Sequence, residues 1–388
     1  MIRVLASLFL ISCLSAAAHA QPIIPASPDL AARAWVLMDA NTGEVIAEQN
    51  AEESLAPASL TKLMTAYLAF EEIDAGRMGM DEQVLVSENA WQKGGAASGG
   101  STMFLPPNES ATVSDLLRGM IVQSGNDASI ALAEHIAGSE EAFADLMTQT
   151  ARRLGLNSSY FFNSTGLPAE GHQTSAIDMA LLAQAIIQRH PELYQIYAEK
   201  EFEYNGIRQP NRNSLLWRDA SVDGLKTGHT SEAGYCLVAS AERGGMRLIS
   251  VVMGTSSEDV RANESQKLLT WGFRYYVTHP LYQSGESLST ETVWEGKLDA
   301  LSLGLAEPVT LTIPRGDAAG LSAELVVPEI LRAPIEQGQA IGQVQISYRG
   351  ELVHEAALIA QHEVQAASFF GRLWDRIQLF LMNLFGKS

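Results

Sequence analysis

The chain has 388 residues, with 26 Lys and Arg against 45 Asp and Glu, a net charge of −19 and only two Cys. A composition that is 46% hydrophobic and 18% charged is that of a folded globular protein, not a disordered or low-complexity one. The acid excess repels phosphate backbones, which argues against nucleic acid as a partner. Two Cys exclude a disulfide scaffold, a Cys-based zinc site and an iron–sulfur centre.

Residues 1–20, MIRVLASLFLISCLSAAAHA, carry one early cation (Arg3), an apolar stretch and a small-x-small ending at Ala18-His19-Ala20. This pattern predicts a secretory signal peptide, too short to span a bilayer. A lipoprotein box at Leu10-Ile11-Ser12-Cys13 is the rival reading, but its apolar stretch is short. Export follows, with Cys236 as the single remaining thiol, placed in an apolar strand where an inert buried Cys is the usual case.

After a Pro-rich lead, two β-rich runs flank Asn41-Thr42-Gly43 and predict a hairpin. Leu60, Leu63, Met64, Tyr67, Leu68 and Phe70 recur at helical spacing over 59–73. A Gly/Ser-rich loop fills 94–107. A helical region from Val113 to about Ala137 is interrupted at Gln123-Ser124-Gly125-Asn126-Asp127. Further helices fit 140–154, 175–189 and 258–276. Between the last two, VDGLKTGHT, AGYCLVASAE and MRLISVVMG are three strand-like runs. With the hairpin they make five antiparallel strands split by a long helical insertion, an α/β arrangement of helices against a mostly antiparallel sheet. From Pro280 to about Ala367, the short alternating runs TETVWEG, PVTLTIP, AELVVPE, QAIGQVQISY and LVHEAALIA suggest a small all-β second domain.

Three short motifs bear chemistry. Ser59-Leu60-Thr61-Lys62 is the chain's only S-x-x-K. At a helix start, residues three apart share a face, so Lys62 overhangs the Ser59 hydroxyl. A Lys acts as a base only when neutral, which requires burial or a neighbouring cation. Alone, the pair reads better as a capping Ser and a solvated Lys. Ser124-Gly125-Asn126 sits in the break between helices, where side chains can face a cleft; Ser87-Glu88-Asn89 matches the same pattern, but Ser87 reads better as a helix cap. Lys226-Thr227-Gly228 is the only K-[ST]-G and lies at the end of a strand, where Gly permits close approach of another backbone.

Ser-x-x-Lys, Ser-x-Asn and Lys-Thr-Gly in that order form the motif set of the serine penicillin-recognising enzymes. The chain resembles the D-alanyl-D-alanine carboxypeptidases of the low-molecular-mass penicillin-binding proteins through PASLTKLMTAYLAF, STMFL, QSGNDA, VDGLKTGHT, KLLTWGFRYY and FFGRLWDRIQ. The resemblance implies a penicillin-recognising transpeptidase/β-lactamase-like domain, a five-stranded antiparallel sheet with helices on both faces, over 21–277. A β-sandwich-like domain would follow over 278–367 and an amphipathic helix over 368–388. It implies that Ser59 attacks the penultimate D-Ala carbonyl, Lys62 takes its proton and Ser124 relays a proton to the leaving amine. Asn126 would bind substrate backbone and Lys226 would supply positive potential. Thr227 and Arg261 would hold the terminal carboxylate, with Gly228 admitting the substrate strand and the backbone N–H groups of Ser59 and His229 forming an oxyanion hole.

The implied substrate is the pentapeptide stem of peptidoglycan, with β-lactams as covalent inhibitors and no cofactor. No metal is expected, because the eight His show no ligand spacing. The segment 161–178 lacks a Glu-x-x-Leu-Asn element, although Glu170 is present, which leaves Lys62 to activate the deacylating water and disfavours a β-lactamase. A DD-endopeptidase, a weak β-lactamase and a non-catalytic peptidoglycan-binding scaffold are the alternatives. Finally, Phe370, Leu373, Trp374, Ile377, Phe380, Leu381, Leu384 and Phe385 share one helical face opposite Arg372, Asp375, Arg376 and Gln378. Too short and too charged to span a bilayer, this segment predicts an in-plane membrane anchor at the periplasmic face of the inner membrane. A helix packed on the β domain, or one that makes a dimer, is the alternative.

Overall fold

Side-chain alternation builds the first domain. In strand β1 (Ala34–Asp39) every residue is buried, and successive residues go to opposite sides of the sheet. Val36 and Met38 enter one apolar core, while Trp35 and Leu37 enter a second. A computed structural model describes residues 23–385, so the export signal expected over 1–20 lies outside the described residues. Strand β1 pairs with β2 (Val45–Gln49) across the expected hairpin, and β3 (Val222–Thr230), β4 (Gly234–Arg243) and β5 (Met246–Thr255) complete the sheet. The order is β2-β1-β5-β4-β3, antiparallel throughout, so residues 209 to 219 positions apart in the chain become neighbours at β1 and β5. Strand β3 lies at the edge and has only β4 as a partner.

Helices cover both faces. The first core receives α1 (Lys62–Asp74), α2 (Val113–Val122), α3 (Asn126–Ala137), α4 (Glu140–Arg153) and α5 (Ala176–Arg189). The second is closed by α6 (Glu258–Tyr275), through Ala262, Leu268, Leu269 and Phe273. Hydroxyl caps fix the helix starts: Ser139, Ser175 and Ser257 accept from the backbone N–H three residues on. Ser87 caps the short helix Glu88–Gly94 in the same way, so Ser87-Glu88-Asn89 is structural.

The helix expected over 59–73 differs at its start. Ala58–Thr61 is a 3₁₀ turn, the α-helix begins at Lys62, and Ser59 caps nothing. Three residues per 3₁₀ turn eclipse positions i and i+3, which holds Ser59 over Lys62 more closely than an α-turn does. Two short antiparallel pairs inside the helical insertion went unread, Gln83–Leu85 with Ser110–Thr112 and the hairpin Glu201–Tyr204 with Ile207–Pro210.

The all-β region contains β6 (Tyr276–Tyr282) paired with β9 (Val309–Pro314), and a six-stranded sheet. That sheet comprises β7 (Ser287–Trp294), β8 (Ala300–Gly304), β10 (Leu321–Val326), β11 (Leu331–Arg332), β12 (Ala340–Tyr348) and β13 (Glu351–Ala360). Strands β6 and β8 were absent from the sequence reading. Pro280 argues against a strand, and it is tolerated here because β6 has a single partner and shifts register just after it. The buried Asp39 carboxylate at the end of β1 accepts hydrogen bonds from Thr278 and Thr312, at 2.6 and 2.8 Å, and so ties the two sheets together. Helix α7 (Phe369–Phe385) ends the described chain.

Candidate active site

The nucleophile candidate lies where three segments converge. Residues Ser59, Ser124, Asn126, Thr227, Gly228 and His229 line one cavity of about 310 Å³, although up to 170 residues separate them in sequence. Two left-handed non-glycine residues mark the spot: Ala58 (φ 47°), just before Ser59, and Ser124 itself (φ 68°). Such conformations cost of order 1–3 kcal/mol each and persist only where the surroundings impose them. On the far side, edge strand β3 runs past the 3₁₀ turn. A Cβ on Gly228 would sit 3.1 Å from the Pro57 carbonyl and 3.3 Å from the Leu60 nitrogen, so Gly keeps that approach open.

Lys62 is 1% exposed. Its Nζ lies 2.7 Å from Asn126 Oδ1, 2.7 Å from the Thr165 carbonyl oxygen and 3.1 Å from Ser59 Oγ. The first two atoms can only accept, so a neutral amine gives them its two N–H groups and turns its lone pair to the Ser59 hydroxyl. Burial supplies that neutral form. Desolvation brings the Lys62 pKa down from 10.5 to about 7, helped by the Arg212 cation and opposed by Asp127 and Glu140. Lys226 is also buried, and its pKa is lowered well below normal by desolvation and by the Lys62, Arg212 and Arg261 charges. Its Nζ donates to Ser124 Oγ (2.9 Å) and to the Thr227 carbonyl (3.0 Å).

Arg261 is not on the cavity wall but buried behind it. One guanidinium N–H donates to the Gly228 carbonyl at 3.3 Å, and the group stacks on the Tyr235 ring, 5.6 Å from its centroid. His229 stacks on the same ring, with its centroid 3.9 Å from that of Tyr235.

Several residues of the site escaped the sequence reading. Arg212 lines the cavity and donates to the Gln123 carbonyl. It follows the hairpin 201–210, whose Asn205-Gly206 turn was a readable signal. Asp127 is buried beside Asn126, and its carboxylate accepts from Thr102 Oγ1 and from the Met103 and Leu105 N–H groups, fixing the Gly/Ser-rich loop against the break between α2 and α3. Thr165, Gly166 and Leu167 bring the segment 161–178 into the cavity. Gly166 (φ +82°) is required there, since a Cβ would lie 1.7 Å from the Ala58 carbonyl oxygen. His172 holds the far end. Phe162 N–H donates to its Nδ1, so its Nε2–H donates to Thr61 Oγ1 at 2.9 Å. Glu170 faces a separate cavity with Glu232 and Gln173, away from Ser59. Among the described residues no cluster of His, Cys, Asp and Glu could hold a metal.

Family comparison gives this geometry a context. Residues 21–257 match the model of the D-alanyl-D-alanine carboxypeptidase family, and 276–366 match that of the penicillin-binding protein 5 C-terminal domain. The chain belongs to the D-alanyl-D-alanine carboxypeptidase family. It is 46% identical to D-alanyl-D-alanine carboxypeptidase DacC of Escherichia coli over 93% of this chain and 91% of that one. It is 44% identical to DacA of the same organism over 95% and 94%. Penicillin-binding protein 5 of Haemophilus influenzae superposes with a TM-score of 0.83 at 40% identity, covering 88% of this chain and 99% of that structure. Penicillin-binding protein D2 of Listeria monocytogenes, solved in an ampicillin-bound form, is 31% identical with a TM-score of 0.56, over 64% of this chain and all of the other. The family thus accounts for both the helix-covered five-stranded sheet and the all-β region that follows it.

Proposed function

We propose that this chain is a serine D-Ala-D-Ala carboxypeptidase that removes the terminal D-Ala from peptidoglycan stem pentapeptides and is acylated by β-lactams. The observation that carries the reading is the buried amine of Lys62, held by two obligate acceptors with its third direction on Ser59 Oγ. In that reading the Ser59 hydroxyl gives its proton to neutral Lys62 and attacks the penultimate D-Ala carbonyl. The backbone N–H groups of Ser59 and His229 receive the oxyanion, an interaction of the kind whose loss costs about 2.7–4 kcal/mol in other enzymes. Ser124, hydrogen-bonded to Lys226, relays to the leaving nitrogen the proton that Lys62 took from Ser59, so Lys62 is neutral again. The C–N bond breaks and D-Ala departs, leaving an ester on Ser59. Water then attacks that ester with Lys62 as base, since the segment 161–178 places no carboxylate in the cavity. Asn126 binds substrate amide, while Thr227 and Arg261 hold the terminal carboxylate, the fork of Arg261 suiting that task. Edge strand β3 accepts the peptide as an added strand.

The domain division supporting this chemistry is 1–20 signal peptide, 21–277 catalytic domain, 278–367 β domain and 368–388 anchor. The exported enzyme would lie at the periplasmic face of the inner membrane. No helix among the described residues is long and apolar enough to cross a membrane. Helix α7 instead has one contact side, where Arg376 pairs with Glu295 at 2.8 Å, Asp375 accepts from the Glu295 N–H and Leu379 is buried. Its apolar residues Phe370, Trp374, Phe380 and Leu384 are exposed. That division of faces favours an in-plane anchor over a docking helix.

One assay tests the activity: D-Ala release from a diacyl-Lys-D-Ala-D-Ala peptide, with Ser59→Ala beside the intact chain. The intact chain releases D-Ala, and Ser59→Ala loses at least about 10³-fold in kcat, the order seen when a nucleophile is removed elsewhere. No release from the intact chain, or undiminished release from the variant, defeats the proposal. A stable adduct with penicillin in the same preparation separates it from a β-lactamase.

A further inference from the structure

We infer that Glu258 is a specificity-determining residue: a built-in counter-ion that a substrate's terminal carboxylate must displace from Arg261. The inference rests on the carboxylate-binding role given to Arg261 above. Glu258 is the first residue of α6, and Arg261 stands one turn on, so the two side chains share a face. Glu258 Oε1 lies 3.5 Å from an Arg261 guanidinium nitrogen. The two partners are unlike in burial, with the arginine side chain 4% exposed and the glutamate 69%. Arg261 is therefore fixed by its surroundings, through the Gly228 carbonyl and the Tyr235 ring. Glu258 is free to swing away into water.

The charge pattern of the cavity makes that arrangement unusual. Glu258 is the only carboxylate among the described residues that line it, facing Arg212 on the wall and Arg261, Lys62 and Lys226 behind it. Glu258 makes no other hydrogen bond or ion pair among the described residues. Compensation of the helix dipole explains an acidic residue in this first turn, and Asp259 also serves there, paired with Arg218. It does not explain why the carboxylate of Glu258 is turned to the Arg261 guanidinium.

A terminal carboxylate arriving at Arg261 takes the same N–H groups and brings a second negative charge beside the first. Glu258 must be displaced into solvent or stay and repel. Either way it weakens binding of a carboxylate, while a neutral carboxamide in the same place meets no such competitor. Because the exchange is complete before bond breaking, the effect falls on KM and not on kcat. Exposed ion pairs are weak, so the expected change is modest, roughly two- to tenfold.

The test uses the full chain in detergent and two peptides, diacyl-Lys-D-Ala-D-Ala and the same peptide ending in a carboxamide. Glu258→Gln lowers KM for the carboxylate peptide roughly two- to tenfold, leaves kcat in place and does not improve the carboxamide peptide. The gain disappears when Arg261→Gln is added, because the two residues act on one another. An unchanged or raised KM for the carboxylate peptide overturns the inference, as does a gain that persists without Arg261. Arg261→Gln alone separates this from the reading beneath it. If that variant still prefers the carboxylate peptide, the role of Arg261 fails and the inference with it. If the preference collapses while Glu258→Gln changes nothing, only the inference about Glu258 fails. Equal thermal melting of the variants guards against misfolding, since Glu258 is exposed and buries nothing.

Discussion

The cavity and the C-terminal helix depart from ordinary burial in opposite senses. Behind the cavity wall, Lys62, Lys226 and Arg261 are basic groups removed from water, each held by backbone carbonyls, hydroxyls or an amide. In α7, Phe369, Phe370, Trp374 and Phe380 are large apolar groups left in water, while the polar flank of the helix touches protein. Charged side chains are almost never fully buried unless paired, and a contiguous exposed apolar face marks an interaction surface. The first departure raises reactivity, since a desolvated amine gives up its proton. The second stores affinity for an apolar phase. Neither contributes to folding in the way the apolar cores do, and the chain carries both because those cores supply the stability.

The largest effect should come from breaking the first departure. Lys62→Met removes the base while filling its space, and kcat for D-Ala release falls about 10²–10⁴-fold. In the intact enzyme, kcat/KM rises with pH through about 7, because the buried amine must be neutral and its pKa has come down from 10.5. Stopped-time D-Ala assays from pH 5 to 9 measure that limb. A profile flat across this range would show that another group takes the Ser59 proton.

Truncation after Ala367 breaks the second departure. Each large side chain that enters the membrane contributes roughly 1.5–3 kcal/mol when fully buried. The truncated chain should therefore move from the membrane pellet to the soluble fraction while keeping its activity on a soluble peptide. Pelleting after carbonate or salt extraction reads the outcome, and a truncated chain that stays on membranes removes the anchor.

A smaller effect lies between the two regions in character, at His172. Its imidazole is buried as a neutral group beside the 3₁₀ turn, and burial lowers its pKa from 6.5 to about 4. The unfolded chain binds the proton first as pH falls, so stability is full above about 6.5 and is lost towards pH 4. At pH 4.5 this amounts to about 2–3 kcal/mol. Urea melts at pH 7 and 4.5 should show His172→Gln losing less on acidification than the parent by that amount. Equal losses would mean that other groups carry the acid sensitivity.

The readable parts of this chain are those whose signal is local. Helix caps at Ser139, Ser175 and Ser257, the Asn41–Gly43 turn and the period of β3 to β5 each depend on a few adjacent residues. Strand β6 was missed because Pro280 speaks against a strand unless one side of it is free, which only the sheet order reveals. The 3₁₀ geometry at Ser59 was missed because Ala58 takes a left-handed conformation that its own side chain disfavours. Packing against Gly166, from a loop a hundred residues away, imposes it. Thr165 was invisible for a related reason. It acts through a backbone carbonyl, which every residue possesses.

The sequence by itself pointed to the reaction class, through three motifs whose order resembles that of a known family. Short motifs and their order along the chain survive without a structure. Tertiary structure alone decided that Lys62 is desolvated, that Arg212 and Glu258 line the cavity beside Ser59, and that the described apolar residues on the outer face of α7 are exposed. Burial and electric field are sums over neighbours brought together by folding, and no run of adjacent residues encodes them.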